Sequence, residues 1–345
     1  MSREMKLIDG VIIGSHRIKP LIAEAGVLTF GRKENGFKFV DEAYEKKIKF
    51  LKFQAFTPEN VVSKEDPYWL NRLKQRALKI KDFLDIMKYA ESKKIVCFAT
   101  THNEYDMIKL SEAGMKILKI GSGDSNNYRM IDMALETGKL VILSVGLLDE
   151  DEVNKLLTRY KKNNNQLIIM HTTTIYPTPP ELANLGRIKI MHENYDFCFG
   201  YSDHVAGDVA VLAAASMPEV SIIEKHLCLP EHRIKPEYES MDIPVALIPE
   251  EFAKTQKITK DIFKMMEGIK IQKEVLKNKS WAQKSICAKR NLRIGHILMP
   301  EDLVSLRPYC KEKGHISVVN FYDLIGKKIK NNIEKDEHIK YSNLE

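Results

Sequence analysis

Two histidines stand beside acids in short apolar runs: His204 in Gly200-Tyr-Ser-Asp-His204 and His226 in Ile223-Glu-Lys-His226. A single histidine in such a run is more often a satisfied core residue. Two imidazoles at the ends of neighbouring strands, with Asp203 and Glu224 next to them, suit a divalent ion of the Mn2+, Fe2+, Co2+ or Zn2+ kind, able to polarise a carbonyl oxygen. Lys52 and Lys119 lie in equally apolar runs, and the hydroxyls of Thr100, Ser122, Ser144 and Ser202 fall at comparable points. Lysine supplies a point charge and the hydroxyls supply directed donors, which together suit a phosphate or carboxylate. Either lysine is also able to form a Schiff base, so the lysines alone leave the mechanism open.

Such residues act together only if the fold gathers them. β-rich runs occur at 20–26, 48–55, 95–100, 116–121, 140–145, 167–172, 196–202 and 220–226. Between most of them, segments such as 68–92, 104–113, 128–136, 149–160 and 207–215 place apolar residues at helical spacing. Eight strand–helix alternations predict an α/β fold, a (β/α)8 TIM barrel, although a doubly wound sheet alternates in the same way. The polar residues favour the barrel. Glu24, Lys52, Gln54, Thr100, Lys119, Ser122, Ser144, His171, Thr174, Ser202, Asp203, His204, Glu224 and His226 all fall near C-terminal strand ends, which converge on one mouth. Alternation places Lys52 with Gln54, and Glu224 with His226, on shared faces. A single charge in a strand usually marks a solvated edge. Lys52, Lys119 and Glu224 together, in central strands, point instead to a function that offsets the cost of burying charge.

Residues 7–14, with Asp9-Gly10 as the turn, predict a hairpin closing the bottom of the barrel. A helix is expected over 250–274, a polar linker over 277–284 and a small β-rich module over 285–345, giving a barrel domain of residues 1–276.

Composition narrows the class further. With 44% hydrophobic and 29% charged residues among 345, the chain has the material for a large core and is not disordered. Its 54 basic and 47 acidic residues give a net charge of +7, and residues 285–345 hold 11 and 8 of them. Neither part is basic enough for a nucleic-acid tract, but a modest positive field suits a small anionic substrate. Five cysteines form no CxxC pair and read as reduced thiols of a cytosolic protein. Met-Ser-Arg-Glu-Met-Lys lacks the apolar core of a signal peptide, and the stretch 209–217 is too short to span a bilayer. A cytoplasmic protein without nucleic-acid or membrane partners is expected.

A specific resemblance then emerges. Ile22-Ala-Glu-Ala-Gly26, Leu51-Lys-Phe-Gln-Ala-Phe56, Phe98-Ala-Thr100, Leu118-Lys-Ile-Gly-Ser-Gly-Asp124, Leu143-Ser-Val-Gly146, Met170-His-Thr-Thr-Thr-Ile-Tyr-Pro177, Gly200-Tyr-Ser-Asp-His204 and Ile223-Glu-Lys-His226 resemble, in order, the motifs of the sialic acid synthase family. That family makes nonulosonic acids such as N-acetylneuraminate, legionaminate and pseudaminate. The tail, with Leu306-Arg-Pro308 and Leu324-Ile-Gly-Lys-Lys328, resembles the family's C-terminal antifreeze-like (SAF) domain. Its many charges, Lys311, Glu312 and Lys313 among them, do not suit an ice-binding face.

The resemblance implies a transferase that condenses phosphoenolpyruvate with the open-chain aldehyde of an N-acyl hexosamine, such as N-acetylmannosamine, and releases phosphate. On that basis Lys52, Thr100, Lys119, Ser122, Ser144 and Ser202 hold phosphoenolpyruvate, and Asp203 is grouped with the substrate-binding residues. His204 and His226 hold a divalent metal, Mn2+ first, with Mg2+ or Co2+ as alternatives. Gln54 and Tyr176 meet the sugar, with Glu237 or Asp242 as a third contact. Glu24 and Asp124 handle protons and position water. Arg307 is the residue that one subunit's SAF domain delivers into the other's barrel, which implies a domain-swapped homodimer.

The chain departs from the pattern at several points. An Asn-His-Asn-Gly-like stretch is replaced by Gly26-Val-Leu-Thr-Phe-Gly31, an asparagine by Thr174, a glutamate by Asp124, and a Gly-Pro-Asp-like arrangement by Lys235-Pro-Glu237. Two alternatives therefore stand beside a nonulosonic acid synthase: a related phosphoenolpyruvate-dependent synthase using another aldose, and a sugar-binding or scaffolding subunit without turnover.

Overall fold

The computed structural model describes residues 4–14, 17–268 and 270–345. The chain divides into two compact units, one ending at Glu267 and the other beginning at Gly268.

In the first unit a short antiparallel pair, β1 (Glu4–Lys6) and β2 (Ile12–Gly14), precedes eight parallel strands. These are β3 (Leu21–Gly26), β4 (Phe50–Gln54), β5 (Val96–Thr100), β6 (Ile117–Ile120), β7 (Leu140–Ser144), β8 (Leu167–Thr172), β9 (Cys198–Asp203) and β10 (Val220–His226). They form a closed barrel in chain order, with β10 paired to β3. Runs such as Leu140-Val-Ile-Leu and Leu167-Ile-Ile-Met are buried on both faces, one against the barrel interior and one against helices. The expected barrel is therefore the fold, and each strand lies within two residues of its expected limits. Buried Met5, Leu7 and Ile13 join the hairpin to the barrel core, with β2 against β10.

The helices are α1 (Lys33–Glu45), α2 (Pro67–Lys74), α3 (Ile80–Ser92), α4 (Glu104–Glu112), α5 (Tyr128–Glu136), α6 (Glu150–Arg159), α7 (Gly186–Asn194), α8 (Val209–Ser216), α9 (Pro230–Ile234) and α10 (Pro249–Glu267). Asn103, Asn127 and Asp149 cap α4, α5 and α6 by accepting from the third backbone N–H beyond them. The single helix expected over 68–92 is two. Leu78 is fully buried and pairs in parallel fashion with Ala55, just beyond β4, so the chain must become extended between α2 and α3. The helix expected to reach residue 274 stops at Glu267, before Gly268. No helix among the described residues is long and apolar enough to cross a membrane. Cys97, Cys198, Cys228, Cys287 and Cys310 are all free thiols.

In the second unit, α11 (Lys273–Leu276) and α12 (Lys279–Ala282) precede β11 (Ser285–Ala288), which pairs antiparallel with β12 (Leu303–Leu306). Isolated bridges such as Leu292↔Ile333 and Ile297↔Lys328 complete it around a core of Ile286, Leu298, Leu324, Ile329 and Ile339. Asp302, fully buried, accepts from Arg290 Nε at 2.7 Å, His296 Nε2 at 2.7 Å and Met299 N at 2.9 Å.

Strands β9 and β10 are also joined through their outward faces. Lys225 Nζ donates to Asp203 Oδ2 at 2.6 Å, Tyr201 Oη donates to Asp203 Oδ1 at 2.9 Å, and neither charge is exposed. Removing one partner strands a buried charge, so Asp203→Ala should cost about 3–5 kcal/mol of folding free energy. A lowered urea midpoint, largely recovered when Lys225→Met is added, is the expected observation.

Candidate active site

The barrel register sets charged and hydroxylic side chains in a ring at the C-terminal mouth. Glu24 pairs with Lys52 across β3 and β4, Gln54 with Thr100, Thr100 with Lys119, Thr172 with Ser202, and His226 with Glu24. They line a cavity of about 180 Å³ together with Ser122, Ser144, Thr174, Tyr176, His204, Glu224 and a further residue, His102.

Its floor is a buried four-charge cluster. Lys52 Nζ lies 2.8 Å from Glu24 Oε1 and 3.5 Å from Glu224 Oε1, and donates to Thr100 Oγ1 at 3.2 Å. Lys119 Nζ donates to Ser144 Oγ at 2.9 Å and stands 3.8 Å from Glu224 Oε1, which also accepts from Ser202 Oγ at 3.1 Å. Ser122 Oγ accepts from the backbone N–H of Gly146 at 3.1 Å. Burial pushes Glu24 up, Lys52 opposes this, and Glu224 adds to it. Burial works against the charge on Lys52, but Glu224 and Glu24 outweigh it and hold its pKa above the ordinary value. Lys119 is lowered, by burial first; the attraction of Glu224 opposes this, while Lys52 adds to the lowering. One oxygen each of Glu24 and Glu224 has no hydrogen-bond partner.

Beside this cluster, at the same mouth, the His204 and His226 rings stand 5.3 Å apart. His204 donates from Nδ1 to the Thr173 carbonyl at 2.7 Å, which leaves the lone pair on Nε2, where it accepts from Tyr176 Oη at 2.9 Å. Burial lowers His204 to about 4 and His226 well below its ordinary value, so both imidazoles are neutral at pH 7. His226 Nδ1 is buried without a partner. Gly26, at φ +55°, makes room here, since a Cβ would lie 3.3 Å from Asp242 Oδ2, 3.5 Å from Glu24 Oε1 and 3.7 Å from His226 Cε1. Asp242 thus belongs to the mouth, and burial together with Glu24 raises it to about 7.

Several expected residues lie elsewhere. Asp203 does not line the cavity, because alternation on β9 sends it outward to Lys225 while Ser202 faces inward. Glu237 is exposed and outside the cavity, so of the two acids weighed for the sugar it is Asp242 that stands beside Glu24. Asp124 stands behind His102, its Oδ2 2.9 Å from His102 Nδ1. Arg307 belongs to the second unit and is exposed. His171 is turned out of the barrel, donating from Nε2 to the Ala183 carbonyl at 3.0 Å. His102, which sequence reasoning missed, follows β5 in a loop and shows no periodicity. Glu224 was legible through its i+2 spacing from His226.

The fold is thus a closed parallel barrel that carries buried ammonium groups, their carboxylate partners and two neutral imidazoles at one mouth. Comparison with known proteins gives the family: the chain belongs to the NeuB family, which matches residues 39–271, and an SAF domain matches residues 283–345. It is 28% identical to the N,N'-diacetyllegionaminic acid synthase of Campylobacter jejuni, over 93% of this chain and 98% of that one. An uncharacterised protein of Methanocaldococcus jannaschii is 30% identical over 94% of each chain. Among solved structures, the N-acetylneuraminic acid (sialic acid) synthetase of Leptospira borgpetersenii, in complex with citrate, superposes with a TM-score of 0.71 at 30% identity, covering 81% of this chain and 98% of that one.

The outward His171 allows a pH test. Burial holds it near 4 in the fold, against about 6.5 unfolded, so the unfolded chain binds the extra proton. Its contribution to stability is complete above about pH 6.5 and is lost at about 1.4 kcal/mol per pH unit as pH falls towards 4. Urea midpoints between pH 7 and 5 should decline less steeply in His171→Gln than in the parent; equal slopes exclude the assignment.

Proposed function

We propose that the chain is a nonulosonic acid synthase that condenses phosphoenolpyruvate with the open-chain aldehyde of an N-acyl hexosamine, N-acetylmannosamine or a 2,4-diacetamido relative. The observation that carries this reading is the pair of buried ammonium groups, Lys52 and Lys119, ringed by the Thr100, Ser144 and Ser202 hydroxyls beside two neutral imidazoles. The named relatives, a diacetyllegionaminic acid synthase and a sialic acid synthetase, support the same chemistry.

Lys52 and Lys119 would hold the phosphate and carboxylate of phosphoenolpyruvate, with Thr100, Ser122, Ser144, Thr174 and Ser202 orienting its oxygens. The cavity is smaller than the roughly 300–1,000 Å³ usual for organic ligands, so it suits the three-carbon acid and leaves the aldose to the rim, near Gln54, Tyr176 and Asp242. The methylene carbon of the enol attacks the aldehyde carbon, and the aldehyde oxygen takes a proton. Water adds to the former enol carbon, and phosphate leaves as its C–O bond breaks. Glu24, raised by burial, is the group placed to hold and deliver a proton.

The residues fit a divalent metal. His204 is fixed by the Thr173 carbonyl, which leaves Nε2, here bonded to Tyr176 Oη, as the nitrogen that would meet a metal, and His226 Nδ1 and Glu24 Oε2 are buried without partners. No group of three His, Cys, Asp or Glu side chains suited to a metal occurs among the described residues, so water or substrate oxygens would complete the coordination of Mn2+, or of Mg2+ or Co2+. Such an ion supplies Lewis-acid polarisation of a carbonyl oxygen. Arg307, exposed just beyond β12, is read as the arginine that one copy lends to another in a domain-swapped homodimer. A cytoplasmic location and the absence of nucleic-acid and membrane partners belong to the same reading.

The test is phosphate release from phosphoenolpyruvate with Mn2+, without sugar, then with N-acetylmannosamine and with 2,4-diacetamido-trideoxyhexoses, with products identified by mass. Release should depend on one sugar and on metal, and should fall by at least about 100-fold in His226→Ala. A folded, metal-binding protein silent across the panel overturns the reading.

A further inference from the structure

His102 is held from every side. Its backbone lies at φ +56°, a left-handed conformation uncommon for a residue with a side chain. Flanking bonds enforce that turn: Thr101 Oγ1 donates to the Asn103 carbonyl at 3.1 Å, Asn103 Nδ2 donates to the Thr101 carbonyl at 2.9 Å, and the Asp106 N–H donates to Asn103 Oδ1 at 2.8 Å. The imidazole packs edge-on against Phe56 at 5.6 Å. Opposite it, Gly121 leaves the needed room, since a Cβ there would lie 3.3 Å from His102 Cε1. Asp124 then fixes the ring's rotation through Nδ1 at 2.9 Å, and Nε2 is left 3.3 Å from Gln54 Oε1 at the cavity wall. Backbone strain, a close glycine and an orienting carboxylate together aim one nitrogen at the mouth.

We propose that His102 contacts the acceptor sugar as one unit with Gln54, and that Asp124 is a positioning residue acting through His102; this rests on the synthase reading above. Charge decides which substrate His102 meets. The Asp124 carboxylate behind the ring disfavours an anion there, and the ammonium groups that suit phosphoenolpyruvate lie deeper, at Lys52 and Lys119. A neutral, hydroxyl-rich aldose suits the rim. With Nδ1–H given to Asp124, Nε2 accepts a hydrogen bond, and a half-turn of the Gln54 amide exchanges its donor and acceptor. The pair therefore offers both polarities to adjacent hydroxyl or acylamino groups of the sugar.

The experiment compares full-length wild type with His102→Phe, His102→Asn, Asp124→Asn and the double variant His102→Phe/Asp124→Asn, varying each substrate in turn. His102→Phe keeps a flat ring against Phe56, and His102→Asn places a residue tolerant of the left-handed backbone, so a folding defect in one does not remove the test. In both His102 variants KM for the aldose should rise by roughly tenfold or more while KM for phosphoenolpyruvate stays within about twofold. The ranking of N-acetylmannosamine against 2,4-diacetamido sugars should also change. Asp124→Asn should show the same aldose-specific rise, and the double variant should be no worse than His102→Phe alone, since the two residues act in series. An active wild type whose His102 variants keep aldose KM and sugar ranking overturns this inference alone. Additive losses in the double variant overturn the role given to Asp124. Silence of the wild type across the sugar panel overturns the synthase reading, and this inference with it.

Discussion

Two ammonium groups and two carboxylates, none more than 4% exposed, are packed into the mouth of the barrel, and the remaining architecture is what makes that arrangement affordable. An isolated charge so placed would cost several kcal/mol, so each must have a partner at fixed distance. Those partners come from different strands: Lys52 on β4 meets Glu24 on β3 and Glu224 on β10, while Lys119 on β6 meets Ser144 on β7. Only a closed, in-register barrel holds them there. The hydrophobic layers between strands and helices therefore serve as the rigid frame for a small polar interior.

The same strands keep structural and chemical charges apart by alternation. On β10, Glu224 and His226 face the cavity while Lys225 faces outward to Asp203. The outward pair ties β9 to β10 directly behind the imidazoles. His204, next in sequence to Asp203, is thereby anchored on two sides, by that pair and by the Thr173 carbonyl.

Much of this was legible in the sequence, because unbroken runs of Val, Ile and Leu can be strands of a covered parallel sheet and because polar residues recur at their C-terminal ends. Asp203, grouped with the substrate-binding residues on the sequence, was misplaced, because alternation on β9 turns it away from Ser202 and towards Lys225. The division of residues 68–92 into α2 and α3 was not legible, since it depends on Leu78 being drawn beside Ala55 by the tertiary fold. Nor were the positions of Glu237 and Asp242, which the path of an irregular segment sets, or the place of His102 in the cavity wall, since it lies on a loop whose left-handed turn has no sequence periodicity. Strand-borne groups follow a rule of two, whereas loop-borne groups follow contacts that only the folded chain defines.

The register pairing of His226 with Glu24 joins the last barrel strand to the first. During synthesis the Glu24 and Lys52 segments emerge early, but Glu224 and His226 arrive only after five further strands and their helices have been made. Until β10 docks, β3 and β9 are open edges, and the lysines lack their full complement of countercharge. Closing the ring is thus one long-range step, costly in chain entropy and slow by topology. A nascent or truncated chain lacking β10 has neither a sealed sheet nor a chemical centre, so quality control of the fold and completion of the site are a single event.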